Sequence, residues 1–109
     1  MTPDDFRRLA LALPDAIEVG HMDHPDFRVG GKVFATLGYP TDEWAMVKLG
    51  PDEQLALCAA KPKIFVPVKG AWGAAGATNV RLEVANVKAV REALSLAYTR
   101  SLSKEKRSR

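Results

Sequence analysis

Apolar residues recur along this chain with two periods, and the places where the period changes predict its elements. In residues 2–13, Phe6, Leu9, Ala10 and Leu13 fall at i, i+3, i+4 and i+7, the stripe of an amphipathic helix. Thr2 is placed to cap this helix, Pro3 suits its first position, and Asp4 and Asp5 complement the positive end of its dipole. Pro14 ends it. The period then drops to two. Ile17 and Val19 flank Glu18, and Phe27 and Val29 follow the segment GHMDHP. The pair Gly30-Gly31 predicts a tight hairpin into KVFATLGY, residues 32–39. After the turn PTDE, the alternating WAMVKL at 44–49 completes an antiparallel meander.

Residues 51–60 predict a second helix, opened by Pro51, with Asp52 and Glu53 in its first turn and Pro62 past its end. Leu55, Cys58 and Ala59 are its expected buried stripe. KIFVPVK, residues 63–69, alternates again. Lys63, Phe65, Pro67 and Lys69 are expected on one face, and Ile64, Val66 and Val68 on the core face. Pro67 has no N–H for a ladder, so this is an edge or bent strand. A glycine-alanine loop over 70–77 leads into TNVRLEV, residues 78–84, where Val80, Leu82 and Val84 share a face and Arg81 points away from the core. Asn86 is the expected cap of a last helix lined by Val87, Val90, Leu94, Ala97 and Tyr98. The fold class is therefore α+β, a largely antiparallel sheet with helices at both termini and one central helix. A single domain is expected over 1–102, followed by a charged tail, 103–109, whose composition predicts disorder.

Charge changes this picture locally. The net charge is +3, but residues 1–98 carry 11 Lys/Arg against 12 Asp/Glu, so the excess comes from Arg100, Lys104, Lys106, Arg107 and Arg109. A basic isoelectric point is thus no warrant for nucleic-acid binding by the folded body; local patches must carry it. No apolar run is long enough to cross a membrane, and MTPDDFRR has acids where a secretory signal has basic residues. With the lone Cys58, this predicts a cytoplasmic protein with no intrachain disulfide and no membrane partner.

Candidate chemistry is sparse. His21, Asp23, His24 and Asp26 crowd the segment before a strand, but the spacing fits no zinc or metalloprotease pattern, and a polar loop is the favoured reading. Cys58 falls on an apolar helical stripe and reads as a core thiol. Gly30-Gly31 and GAWGAAG lack the phosphate-loop patterns, and no serine sits in a nucleophile turn. The expectation is no catalytic residue, no metal and no cofactor.

What remains is a stretch without acids, from Gln54 to Leu82, holding Lys61, Lys63, Lys69 and Arg81 with Phe65 and Trp72 among them. Cations with an exposed ring would hold a phosphate backbone and stack on a base. The alternative is a solvated sheet face whose lysines block edge-to-edge pairing, with Trp72 folded inward to seal the core. The sequence leaves both open.

Several segments, in order, resemble the MmcQ/YjbR-like family of small bacterial proteins. They are LALPDA at the end of the first helix, FRVGGKVFATL at the hairpin, VKLGPDEQLAL at the strand-to-helix passage, Trp72 before a strand, and VREALSLAYTRSL in the last helix. The resemblance covers residues 1–102 and implies an α+β fold of double-wing type, with paired strand-loop wings and DNA binding as the associated role. It brings no catalytic residues and no cofactor. The expected contacts to DNA, mainly to the phosphate backbone, are Lys61, Lys63, Lys69, Trp72 and Arg81, with Lys104, Lys106 and Arg107 from the cationic C-terminus, in a monomer or weak dimer. Two other readings stand beside it: a protein-interaction or regulatory domain using the edge strand 63–69, and a small-molecule binder using the His21–His24 loop.

Overall fold

The computed structural model describes residues 1–20 and 24–107, the side chains from 103 onward excepted. The described elements run in order as α1 (Pro3–Leu11), β1 (Ile17–Val19), β2 (Asp26–Val29), β3 (Lys32–Leu37), β4 (Trp44–Lys48), α2 (Pro51–Ala60), β5 (Phe65–Pro67), α3 (Ala71–Ala74), β6 (Ala77–Arg81), a 3-10 turn (Leu82–Val84) and α4 (Val87–Arg107). The six strands form one antiparallel sheet in the order β1-β2-β3-β4-β6-β5. The α+β class and the edge position of β5 follow the sequence reading. Among the described residues no helix is long and apolar enough to cross a membrane.

One face of the sheet is covered and the other is open. α1, α2 and α4 pack on the covered face. There Phe27, Ala35, Leu37, Ala45, Val47, Val80 and Phe65 meet Phe6 and Ala10 of α1, Leu57 of α2, and Val90, Ala93, Leu94 and Ala97 of α4. A bulge where the β2–β3 register shifts lets Phe34 and Ala35, neighbours in sequence, both bury. Phe34 then meets Tyr98 of α4 edge to face at 5.8 Å, and the Tyr98 hydroxyl donates to the Pro14 carbonyl at 2.7 Å.

The helix ends follow local chemistry. The Thr2 hydroxyl accepts from the Asp5 N–H at 3.1 Å, and Asp5 accepts from the Thr2 N–H at 3.0 Å, a complete capping box. Asn86 caps α4 by accepting from the Ala89 N–H at 2.9 Å. The backbone N–H and side chain of Thr2, with Arg8 nearby, hold the Asp5 carboxyl below its ordinary value of 3.8. A lowered folded-state pKa stabilises the fold above the ordinary carboxylate range, and that contribution disappears as pH falls through the lowered value. Thr2→Ala is expected to move the Asp5 midpoint part of the way back toward 3.8, because the backbone donor stays; carboxyl NMR titration of both proteins checks this.

Three sequence expectations are corrected. β5 comprises Phe65–Pro67 only, because Lys61–Ile64 form a turn in which the Ile64 and Phe65 N–H groups both donate to the Lys61 carbonyl. That turn breaks the alternation begun at Lys63. Phe65 pairs with Val80, is 1 % exposed and faces the core, while Val66 pairs with Asn79 on the opposite face. The stripe assigned to α2 is displaced as well. Leu57 is buried and Cys58 half-buried, whereas Leu55 and Ala59 are exposed, since apolar residues on most sides of LALCAA give periodicity little to select. Finally, β6 ends at Arg81 and the 3-10 turn leaves Val84 exposed.

Candidate nucleic-acid interface

The open face carries a groove of about 890 Å³. Strand pairing builds its floor. Asp26, Thr36, Met46, Asn79 and Val66 are successive register partners across β2, β3, β4, β6 and β5, one row across the sheet. The next row pairs Trp44 with Arg81. Alternation along β4 keeps Trp44, Met46 and Lys48 on this face, with Ala45 and Val47 on the core side. The floor is thus apolar at Met46 and Val66 and hydrogen-bonding at Thr36 and Asn79.

Two loops frame the groove. The β3–β4 loop presents Tyr39, 68 % exposed, with the His24 ring edge-on at 6.2 Å. The β5–β6 connection presents Lys69 and Trp72. Trp72 is 65 % exposed, which rejects the inward-folded alternative. It stands on α3, a single helical turn where a plain loop is expected from the glycines and alanines.

Packing beneath α3 explains why Trp72 faces out. A Cβ on Gly73 would lie 1.5 Å from the Val68 carbonyl oxygen, so only glycine lets α3 seat this closely. Gly76, at φ +118°, presses on the Leu49 carbonyl in the same way. The Gln54 amide of α2 reaches across and donates to the carbonyls of Gly73 and Ala77, each at 2.9 Å. The buried Thr78 hydroxyl donates to the Gly76 carbonyl at 2.8 Å. With its underside pinned by backbone contacts, α3 projects the indole toward solvent.

The groove is cationic and aromatic. The Arg81 guanidinium stacks over the Trp44 ring at 4.6 Å, and the Lys48 ammonium lies over the Trp72 ring at 5.4 Å. Among the described residues Lys48, Lys69 and Arg81 make no ion pair, while the carboxylate in the lining, Asp26, is paired with Arg28 at 3.1 Å. An anion approaching this face meets unneutralised cations beside aromatic surfaces.

Of the residues expected to contact DNA, the structure brings Lys69, Trp72 and Arg81 together in one groove. Lys61 and Lys63 are exposed on the α2–β5 turn, outside its lining. Lys104, Lys106 and Arg107 lie on the last turns of α4, with side chains outside the described residues. His21 and Asp23 also fall outside the described residues, while His24 and Asp26 line the groove. Burial pushes the Cys58 thiol up from its ordinary value, the opposite of an activated nucleophile. Sequence reasoning missed Tyr39, Trp44 and Lys48. The alternation in WAMVKL already puts Trp44 and Lys48 on one face, but which face is open depends on where the helices pack.

Comparison with known proteins agrees with this architecture. The YjbR family profile matches residues 11–100. The crystal structure of protein DR2400 of Deinococcus radiodurans, described as carrying a DUF419 domain, superposes with a TM-score of 0.77 at 21% identity, over 95% of this chain and 80% of that one. At this identity the likeness establishes the fold alone. The chain matches no curated protein.

Proposed function

The chain belongs to the YjbR family, and on that footing we propose that it is a DNA-binding module whose binding surface is the open-face groove. The observation that carries the reading is Trp72: 65 % exposed, beside Lys69 and Lys48, across the groove from the Arg81–Trp44 pair. Cations around an exposed indole, on a concave face that also carries Trp44 and Tyr39, suit a phosphate backbone with bases beside it. The basic residues at the end of α4 add a sequence-independent term to the affinity. We read the protein as a cytoplasmic, non-catalytic binder, monomeric or weakly dimeric. Strand addition at β5 fits less well, because Pro67 withholds a donor and Lys69 follows it on that edge.

Anisotropy of a fluorescent DNA at about 50 mM and about 200 mM salt tests this, since phosphate contacts make affinity fall steeply with salt. The expected result is salt-dependent binding that Lys69→Glu with Arg81→Glu weakens by at least about tenfold, as charge reversal at backbone contacts demands. Unchanged affinity in that variant, with all binding lost on deletion of 103–109, would assign the contact to the C-terminus instead. No binding at the lower salt by folded protein would remove the reading.

A further inference from the structure

A second, smaller cavity of about 250 Å³ adjoins the groove at Trp72, lined also by Lys48, Ala75, Ala77 and Arg100. Lys48 ends β4, and Arg100 comes from α4 in the helical layer. The cavity therefore joins the end of the open face to the helical layer, with Trp72 lining both spaces. Arg100 packs against Gly50, the N-cap of α2: a Cβ there would lie 2.6 Å from the Arg100 Nη1. The carboxylate nearest this point, Glu53, accepts from the Gly50 N–H at 2.9 Å and so caps α2. Among the described residues Arg100 makes no ion pair. Two exposed cations on different elements thus converge on a small cavity beside one indole.

Resting on the groove reading above, we propose that this cavity is a phosphate subsite for an unpaired nucleotide. The base stacks on Trp72 and an adjacent phosphate sits between Lys48 and Arg100. The strand then leaves the groove toward the end of α4, where Lys104 and Arg107 follow Arg100 at helical spacing in the chain. The geometry selects single strands. A duplex buries its base faces in the stack and offers only edges, whereas an unpaired base presents the face that an exposed indole takes. A guanidinium supplies fixed, paired donors to a phosphate, and an ammonium adds a point charge.

The test uses the full chain, an oligothymidine of about ten nucleotides and a duplex of equal length, titrated at several salt concentrations. Wild-type protein is expected to bind the single strand at least about tenfold more tightly than the duplex, because stacking on an open base face is lost in the duplex. Lys48→Gln and Arg100→Gln are each expected to weaken single-strand binding roughly tenfold, as loss of a charged hydrogen bond does. Each also lowers the steepness of log K against log salt, by up to about 0.7 for the one phosphate the two residues share. Arg100→Lys recovers the slope and only part of the affinity, which separates charge from folding. Unchanged slopes in both glutamine variants, with wild-type binding intact, overturn the phosphate subsite and leave the groove reading standing. Equal or tighter duplex binding overturns the unpaired nucleotide. Wild-type protein that binds neither DNA removes the groove reading and the subsite with it.

Discussion

Trp72→Ala is expected to weaken single-strand binding by roughly 5- to 150-fold, the equivalent of about 1–3 kcal/mol for one stacked base. Stability should change by no more than about 0.5 kcal/mol, because the ring is largely solvated and little packing leaves with it. Separating the two readouts matters. A tryptophan that sealed the core would cost about 3–5 kcal/mol on truncation, and its binding defect would follow from unfolding. Here the indole is 65 % exposed on a turn held by backbone contacts, so the defect should appear in affinity with the melting temperature preserved. Trp72→Phe retains an aromatic face and should recover most of the affinity. Its failure to do so would mean that the ring does not work by stacking. Equilibrium titration and thermal melts on the three proteins decide the matter.

The second large effect is on the platform beneath that ring. Gly73→Ala is expected to destabilise the protein by about 3 kcal/mol, at the upper end of what overpacking a tight site costs. For a domain of this size that lowers the melting temperature by roughly 10–20 °C. The added methyl cannot rotate away: it would stand 1.5 Å from the Val68 carbonyl oxygen, a backbone atom. Relieving the clash requires α3 to lift, which breaks the hydrogen bonds from the Gln54 amide to Gly73 and Ala77. The half-buried Gln54 amide then loses its acceptors, which adds to the cost. Ala74, exposed on the same turn, is the control; Ala74→Ser should stay within about 0.5 kcal/mol of wild type. An unchanged melt for Gly73→Ala would show that α3 is loosely held and that Trp72 has no fixed place.

How far these features could be read in the chain depended on whether their cause was local. The cap at Thr2, the Gly30-Gly31 hairpin and the cap at Asn86 are set by neighbours a few residues away, and all appear as read. The edge position of β5 was legible from Pro67, a local property. Its facing was not, because one turn at Lys61–Ile64 shifts the alternation, and a shift of one residue exchanges the two faces of a strand. The stripe of α2 was misplaced for a related reason: with apolar residues on most of its surface, only the tertiary contact with β5 and β6 selects Leu57.

The candidate site shows the same division. Lys69, Trp72 and Arg81 stood out because the stretch around them lacks acids, and they do share one groove. Phe65, chosen on the same grounds, went to the core. Lys48 and Arg100 lie outside that stretch, on β4 and α4: pairing of β4 with β6 brings Lys48 to Trp72, and packing of α4 against the sheet brings Arg100 to the same cavity. No spacing rule links positions so far apart. Gln54 is also invisible to pattern reading, since its amide donates to carbonyls of α3 and β6, 19 and 23 residues further along the chain.

Chemical-shift mapping with the oligothymidine tests the central claim most directly, because it reports the place of binding as well as the fact. Resonances of Met46, Asn79, Lys69, Arg81 and the Trp72 indole N–H are expected to move together and saturate, while the C-terminal half of α2 and the outward side of α1 stay still. Shifts confined to residues 103–109, shifts confined to α1 and α2, or none at low salt would contradict a nucleic-acid site on the open face of the sheet.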